Sequence, residues 1–200
     1  MKLLFVADSL ESFKVYKDTT FAMMRAAQAR GHQVSACEPR HLRWVTGGVV
    51  DALVQAITLT GATPGWFKVD SIIRTALKDF DAIVMRKDPP FDSEFFYATH
   101  VLEQAEREGA RVFNKPRALR DHPEKLAILE FAQFCGPTLV TRSDSDIRDF
   151  HAVHHDIILK PLDGMGGMGI FRVGQDGLNL GSIIETLNKG GAETVMVQKF

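Results

Sequence analysis

Apolar runs broken by short polar stretches set the first outline of this chain. Leu3-Leu4-Phe5-Val6-Ala7 is continuous, the pattern of a strand buried on both faces of a parallel sheet. Asp8 to Lys17 is polar and without period, which predicts a loop. Asp18 or Thr19 then caps a helix carrying Phe21, Met24 and Ala27 along one side, and Gly31 ends it. Gln33 to Glu38 reads as a second strand and completes a β-α-β opening. Open α/β sheets bind ligands at the carboxyl ends of such strands, which places Asp8 and Ser9 at that edge.

Residues 41 to 80 are less regular. Gly47-Gly48 suits a hairpin turn between short strands, and Ser71 to Leu77 a short helix. Asp81 to Met85 is another strand, ending in Arg86-Lys87-Asp88-Pro89-Pro90-Phe91-Asp92, where paired prolines force an extended loop. Ser93 caps a helix with Phe95, Ala98, Leu102 and Ala105 on its inner face; Gly109 stops it, and Ala110 to Asn114 returns as a strand. The pattern changes near residue 120, which predicts a domain boundary. Pro123 opens a helix with Leu126, Ile128, Leu129 and Phe131. Thr138 to Val140 is a short strand, Asp144 to Phe150 a short helix, Leu180 to Leu187 another, and Thr194 to Phe200 a last strand.

Between these lies the most distinctive stretch. Ile157-Ile158-Leu159-Lys160 runs into Pro161-Leu162-Asp163 and then four glycines, Gly164, Gly166, Gly167 and Gly169, with Met165 and Met168 among them. Ile170-Phe171-Arg172-Val173 follows, so the reading is strand, glycine loop, strand. Such a loop lets backbone N–H groups crowd round an anion, and the lysine adds positive charge, which suits a nucleotide triphosphate tail. A Rossmann site needs a helix directly after its glycines, and the β-formers Ile170, Phe171 and Val173 argue against one. The Walker pattern is absent, a kinase-type lysine would come later in the chain, and a ligand-free hairpin is the plain alternative.

Three further features carry candidate chemistry. Lys125 falls in the first turn of the helix opened by Pro123, where a lysine is unfavourable unless an anion is bound nearby. Arg86 stands at a strand's carboxyl end and suits a substrate carboxylate, the plain alternative being an ion pair with Asp88 or Asp92. Asp8 suits a substrate amine or amide, or simply a turn. His151, His154 and His155 have the spacing of metal ligands on a helix, but without partners they read better as a solvated helix end.

Composition narrows the classes. Apolar content of 45% and charged content of 24% over 200 residues fit one or two ordinary globular domains. A formal net charge of −1 gives no reason to expect nucleic acid or an anionic membrane. The two cysteines, Cys37 and Cys135, form no C-x-x-C, and no apolar stretch approaches the ~18 residues of a membrane span. A soluble, cytoplasmic protein is expected.

The chain resembles the ATP-grasp ligases and, within them, the bacterial glutathione synthetases. The resemblance rests on Asp121-His122-Pro123-Glu124-Lys125-Leu126, on Lys160-Pro161-Leu162-Asp163-Gly164-Met165-Gly166-Gly167, and on Val197-Gln198-Lys199-Phe200. Lys17 to Met23, Met85 to Asp92 and Asn114-Lys115-Pro116 extend it over essentially the whole chain. It implies an N-terminal doubly wound (pre-ATP-grasp) α/β domain on the substrate side, residues 1–120, followed by the smaller α+β lobe of an ATP-grasp domain, residues 121–200. It implies that ATP activates the carboxylate of γ-glutamylcysteine as an acyl phosphate, which glycine attacks to give glutathione. Lys125 and Lys160 would hold the phosphates, Gly164, Met165, Gly166, Gly167, Met168 and Gly169 would close over them, and Gln198, Lys199 and Phe200 would meet the adenine. Asp8, Ser9 and Arg86 are the substrate-side candidates, although Ala7-Asp8-Ser9 departs from the family's usual methionine and proline at that loop. The family's magnesium ligands and acyl-phosphate arginines would lie past Phe200. On that reading the chain is truncated, inactive alone, without a metal site of its own, and part of a homo-oligomer. Another ATP-grasp carboxylate–amine ligase and a non-catalytic ATP-binding module are the alternatives.

Overall fold

The N-terminal apolar run forms β1 (Lys2–Val6), and its side chains alternate between two buried clusters, Leu4 and Val6 in one and Phe5 in the other. That is why Leu3 to Val6 lacks polar positions: helices cover the sheet on both sides. Asp18 starts α1 (Thr19–Ala29) by accepting the Phe21 N–H at 2.9 Å, a cap worth about 1 kcal/mol. β2 (Gln33–Cys37) runs parallel to β1. β3 (Leu42–Arg43), β4 (Asp51–Leu59) and β5 (Phe67–Ala76) form an antiparallel set, with Gly47 and Gly48 in the connection between β3 and β4. β6 (Ala82–Met85) returns parallel to β1 on its other side. α2 (Ser93–Arg107), β7 (Val112–Phe113) and α3 (Pro116–Asp121) complete this half.

The computed structural model describes residues 1–62 and 64–200 and divides into two compact units. One is Met1–Asp88 with Asp92–Asp121; the other is Pro89–Phe91 with His122–Phe200. In the first unit, seven strands among the described residues form a mixed sheet in the order β3-β4-β2-β1-β6-β7, with β5 on the far side of β4. Met24 and Ala27 of α1 pack with Phe5, Val34, Ala36 and Ile57 on one face. Ala98, Leu102 and Ala105 of α2 pack with Leu4, Val6, Ile83 and Val112 on the other.

The second unit contains β8 (Thr138–Thr141), α4 (Asp144–His154), β9 (Ile157–Pro161), β10 (Phe171–Val173), α5 (Leu180–Asn188) and β11 (Val195–Lys199). Its sheet has the order β10-β9-β11-β8, with every pair antiparallel. Ile147 of α4 and Leu180, Ile184 and Leu187 of α5 bury Ile157, Leu159, Val173, Val195 and Val197. Both helices therefore cover one face. Strand alternation leaves Thr138, Val140, Ile158, Lys160, Met196 and Gln198 on the opposite face.

Four expectations about elements are corrected. Ser71 to Leu77 is not helical: residues through Ala76 lie in β5 and pair with β4, because Ile72, Ile73 and Thr75 suit a ladder that a distant strand supplies. The cap of α2 is Asp92, whose carboxylate accepts the Phe95 N–H at 2.8 Å, and Ser93 is already helical. The strand around residue 112 contracts to two residues. The helix expected after Pro123 is only a 3-10 turn, Leu126–Glu130, with no buried side chain to stabilise a longer helix.

Candidate functional site

The glycine loop joins β9 to β10 as a hairpin, with Phe171 opposite Leu159 and Val173 opposite Ile157. A strand, not a helix, follows the glycines, which removes the Rossmann geometry. Gly166, Gly167 and Gly169 have φ of 63°, 81° and 70°, left-handed values that side-chain-bearing residues adopt at a cost. Within the loop Met168 N–H donates to Met165 O at 3.1 Å and Ile170 N–H to Gly167 O at 3.4 Å. The amides of Gly164, Met165, Gly166, Gly167 and Gly169 donate to no acceptor among the described residues. Free donors gathered in a short, side-chain-poor loop are the ingredients of an anion cradle.

Two lysines bear on this loop. Lys160 stands opposite Met196 on the helix-free face of the sheet, half-buried, and its ammonium makes no hydrogen bond or ion pair among the described residues. Lys125 does not lie in an α-helix, so the helix-dipole argument for it fails. It precedes the 3-10 turn, and its ammonium donates to the Gly164 carbonyl, fixing the start of the loop.

Gln198 shares the face of Lys160, and its amide donates to Thr138 Oγ1 at 3.1 Å. Lys199 N–H donates to Pro137 O at 3.0 Å and Phe200 N–H to Asp156 O at 2.9 Å. Those two amides are therefore already used inside the unit. The Arg172 guanidinium lies 3.5 Å from the Phe200 ring centroid and forks onto Asp156 at 3.0 and 2.7 Å. The same fork holds the Asp156 carboxyl below the usual carboxylate range. Sequence reasoning missed the rest of this face: Thr138 and Val140 line an open apolar cleft with Ile128, Leu129 and Ala132. Alternation within Thr138–Val140 was the available signal, but it becomes useful only once the covered face is known.

In the first unit, Arg86 follows β6 and reaches α1, with Nε 3.1 Å from Thr20 Oγ1 and Nη2 2.8 Å from Thr19 Oγ1. It makes no ion pair among the described residues, so Asp88 and Asp92 do not neutralise it. Asp8 is engaged internally: one oxygen meets Lys87 Nζ at 2.9 Å, and the other accepts the Asp88 N–H at 3.0 Å. It clasps the loop after β6. The Ser9 hydroxyl donates to the Glu11 carboxylate, which holds that carboxyl below the usual carboxylate range. Burial, then the charge of Glu38, pushes the Cys37 thiol up to about 12, so it stays protonated at neutral pH.

His151 and His154 close α4: His151 Nε2 lies 2.8 Å from Gly174 O, and His154 packs on Phe150 with ring centroids 4.3 Å apart. Among the described residues no group of three or more His, Cys, Asp or Glu side chains is gathered as a metal site would require. No helix among them is long and apolar enough to cross a membrane.

Residues 1–120 match the family model "Prokaryotic glutathione synthetase, N-terminal domain", and residues 124–200 match "Prokaryotic glutathione synthetase, ATP-grasp domain". A glutathione synthetase of Ralstonia nicotianae is 54% identical over 200 residues, covering 100% of this chain and 61% of that protein. One from Neisseria meningitidis serogroup B is 50% identical over 204 residues, covering 100% and 64%. The chain thus spans a little over six tenths of the length of these curated relatives. Among solved structures, D-cycloserine synthetase DcsG superposes with a TM-score of 0.64 at 16% identity, covering 100% of this chain and 59% of that one. D-alanyl-alanine synthetase A from Vibrio cholerae gives 0.61 at 16% identity, with the same coverage. At such identity the likeness concerns the fold, which is that of ATP-grasp ligases. With both family models matched along the chain, the protein belongs to the prokaryotic glutathione synthetase family.

Proposed function

We propose that this chain carries the nucleotide-binding hairpin and the substrate-side domain of a ligase that joins γ-glutamylcysteine to glycine at the expense of ATP. The observation that carries this reading is the loop's set of unpaired amides between Lys160 and the Lys125-anchored Gly164. They fit a triphosphate: neutral donors for the oxygens and an uncommitted ammonium for charge. ATP, when bound, supplies the phosphoryl group that turns a carboxylate into an acyl phosphate. The chain's own part is to hold and shield. Lys160 neutralises phosphate charge, the loop amides orient the oxygens, and the glycines, free of side chains that would restrict the backbone, let the loop close and exclude water from a hydrolysable intermediate.

Residues 1–120 then serve the acid substrate and residues 121–200 the nucleotide. Arg86, positioned by two threonine hydroxyls and left without a carboxylate, is the candidate for a substrate carboxylate. Asp8 and Ser9 shape the same strand edge through Lys87, Asp88 and Glu11. Gln198, Lys199 and Phe200 border the adenine. A cytoplasmic setting fits the two free cysteines.

The test is ADP release from Mg-ATP by the longest natural form of this chain, with γ-glutamylcysteine and glycine omitted in turn. Release that needs both is expected. Release with the acid alone would point to a different acceptor amine, release with other acids to a different ligase, and ATP binding without any release to a non-catalytic module.

A further inference from the structure

The helix-free face of the small sheet carries polar groups beyond Lys160. Across it the strand order β10-β9-β11-β8 sets Lys160 of β9 first, then Gln198 of β11 diagonally beside it, then Thr138 of β8 directly opposite Gln198. Thr138 in turn lines the open cleft of about 330 Å³ walled by Ile128, Leu129, Ala132 and Val140. Cofactor pockets have this character: apolar walls and a few polar groups that fix orientation. A nucleotide with its phosphates at Lys160, laid across the sheet, brings its base to the β8 side.

Hydrogen bonding at that side has one possible sense. Thr138 Oγ1 lies 2.9 Å from Gly136 O and 3.1 Å from Gln198 Nε2. A hydroxyl has one proton, and a carbonyl can only accept. The Thr138 proton therefore goes to Gly136, and toward Gln198 the hydroxyl can only accept. This fixes which way the Gln198 carboxamide is turned, because its oxygen placed there would face a second acceptor. Oε1 is left with no hydrogen bond among the described residues. A half-buried acceptor with no partner, next to an apolar cleft, is complementary to a ring edge that bears an amine.

We propose that Thr138 is a positioning residue for the nucleotide base: it holds the Gln198 carboxamide so that Oε1 receives the exocyclic amine of adenine. This rests on the nucleotide reading of the site and adds the group that orients the base contact. Thr138 acts only through Gln198.

Calorimetric binding to the longest natural form of this chain tests it, with ATP compared against purine riboside triphosphate, which has hydrogen in place of the 6-amino group. The parent is expected to prefer ATP about three- to tenfold, the range of one neutral hydrogen bond. Thr138→Val keeps the side-chain shape but neither accepts nor donates, so the carboxamide is free to turn. Most of the preference should vanish in that variant, with the analogue binding as it does to the parent and the circular-dichroism spectrum unchanged. Thr138→Ser should keep the preference, and Gln198→Leu should abolish it. A Thr138→Val variant that retains the parent's preference would overturn the proposal. So would one that weakens both nucleotides equally, the mark of a merely structural role, or a parent that binds both nucleotides alike. A parent that binds neither nucleotide would overturn the nucleotide reading itself, and this inference with it.

Discussion

Replacing Lys160 by alanine is expected to weaken ATP binding about tenfold to a hundredfold while leaving the fold in place. The side chain is half-buried on the helix-free face and has no protein partner among the described residues, so its removal breaks no internal bond. Surface changes of that kind stay within about 0.5 kcal/mol in stability. A hydrogen bond to a charged group contributes about 1.5–3 kcal/mol, which sets the expected loss of affinity. Titration calorimetry with ATP reads it directly. Unchanged affinity in a folded variant would mean that the phosphates do not lie against β9.

The second large effect is at Gly169. Its φ of 70° disfavours any side chain by about 1–2 kcal/mol, and an added Cβ would sit 3.2 Å from Pro161 Cγ and 3.3 Å from Cδ. The proline ring is closed on the backbone and cannot swing away. Gly169→Ala should therefore destabilise by about 1–3 kcal/mol and displace the loop amides, weakening ATP as well. Gly166 is the control: its φ of 63° carries the same backbone penalty, but nothing lies within 4 Å of an added Cβ. Urea unfolding of the two variants separates the terms. Equal losses would show that contact with Pro161 does not hold the loop.

How much of this was legible beforehand depended on how local each cause is. The strand–loop–strand hairpin could be read because apolar runs flank the glycines directly, and β-formers after Gly169 excluded a helix. α1 and its Asp18 cap were legible for the same reason. Long-range partners were not. Ile72, Ile73 and Thr75 were read as helical because nothing nearby reveals that β4 offers a ladder. Asp8 looked like a ligand residue, yet its partners Lys87 and Asp88 come some eighty positions later. Lys125 was singled out by a helix dipole that does not exist. What places it is the Gly164 carbonyl, 39 residues on, a contact no local rule could supply. The second face of the small sheet, with Thr138, Val140 and Met196, became distinguishable only once α4 and α5 were seen to share the first.

The central claim is that the β9–β10 loop cradles the nucleotide phosphates with its own amides. Hydrogen–deuterium exchange across the chain, with and without saturating ATP, tests it most directly. The account expects the amides from Gly164 to Gly169 to slow markedly with ATP, and to slow far less in Lys160→Ala at the same nucleotide concentration. Bound ATP that leaves the exchange of this loop unchanged would contradict it.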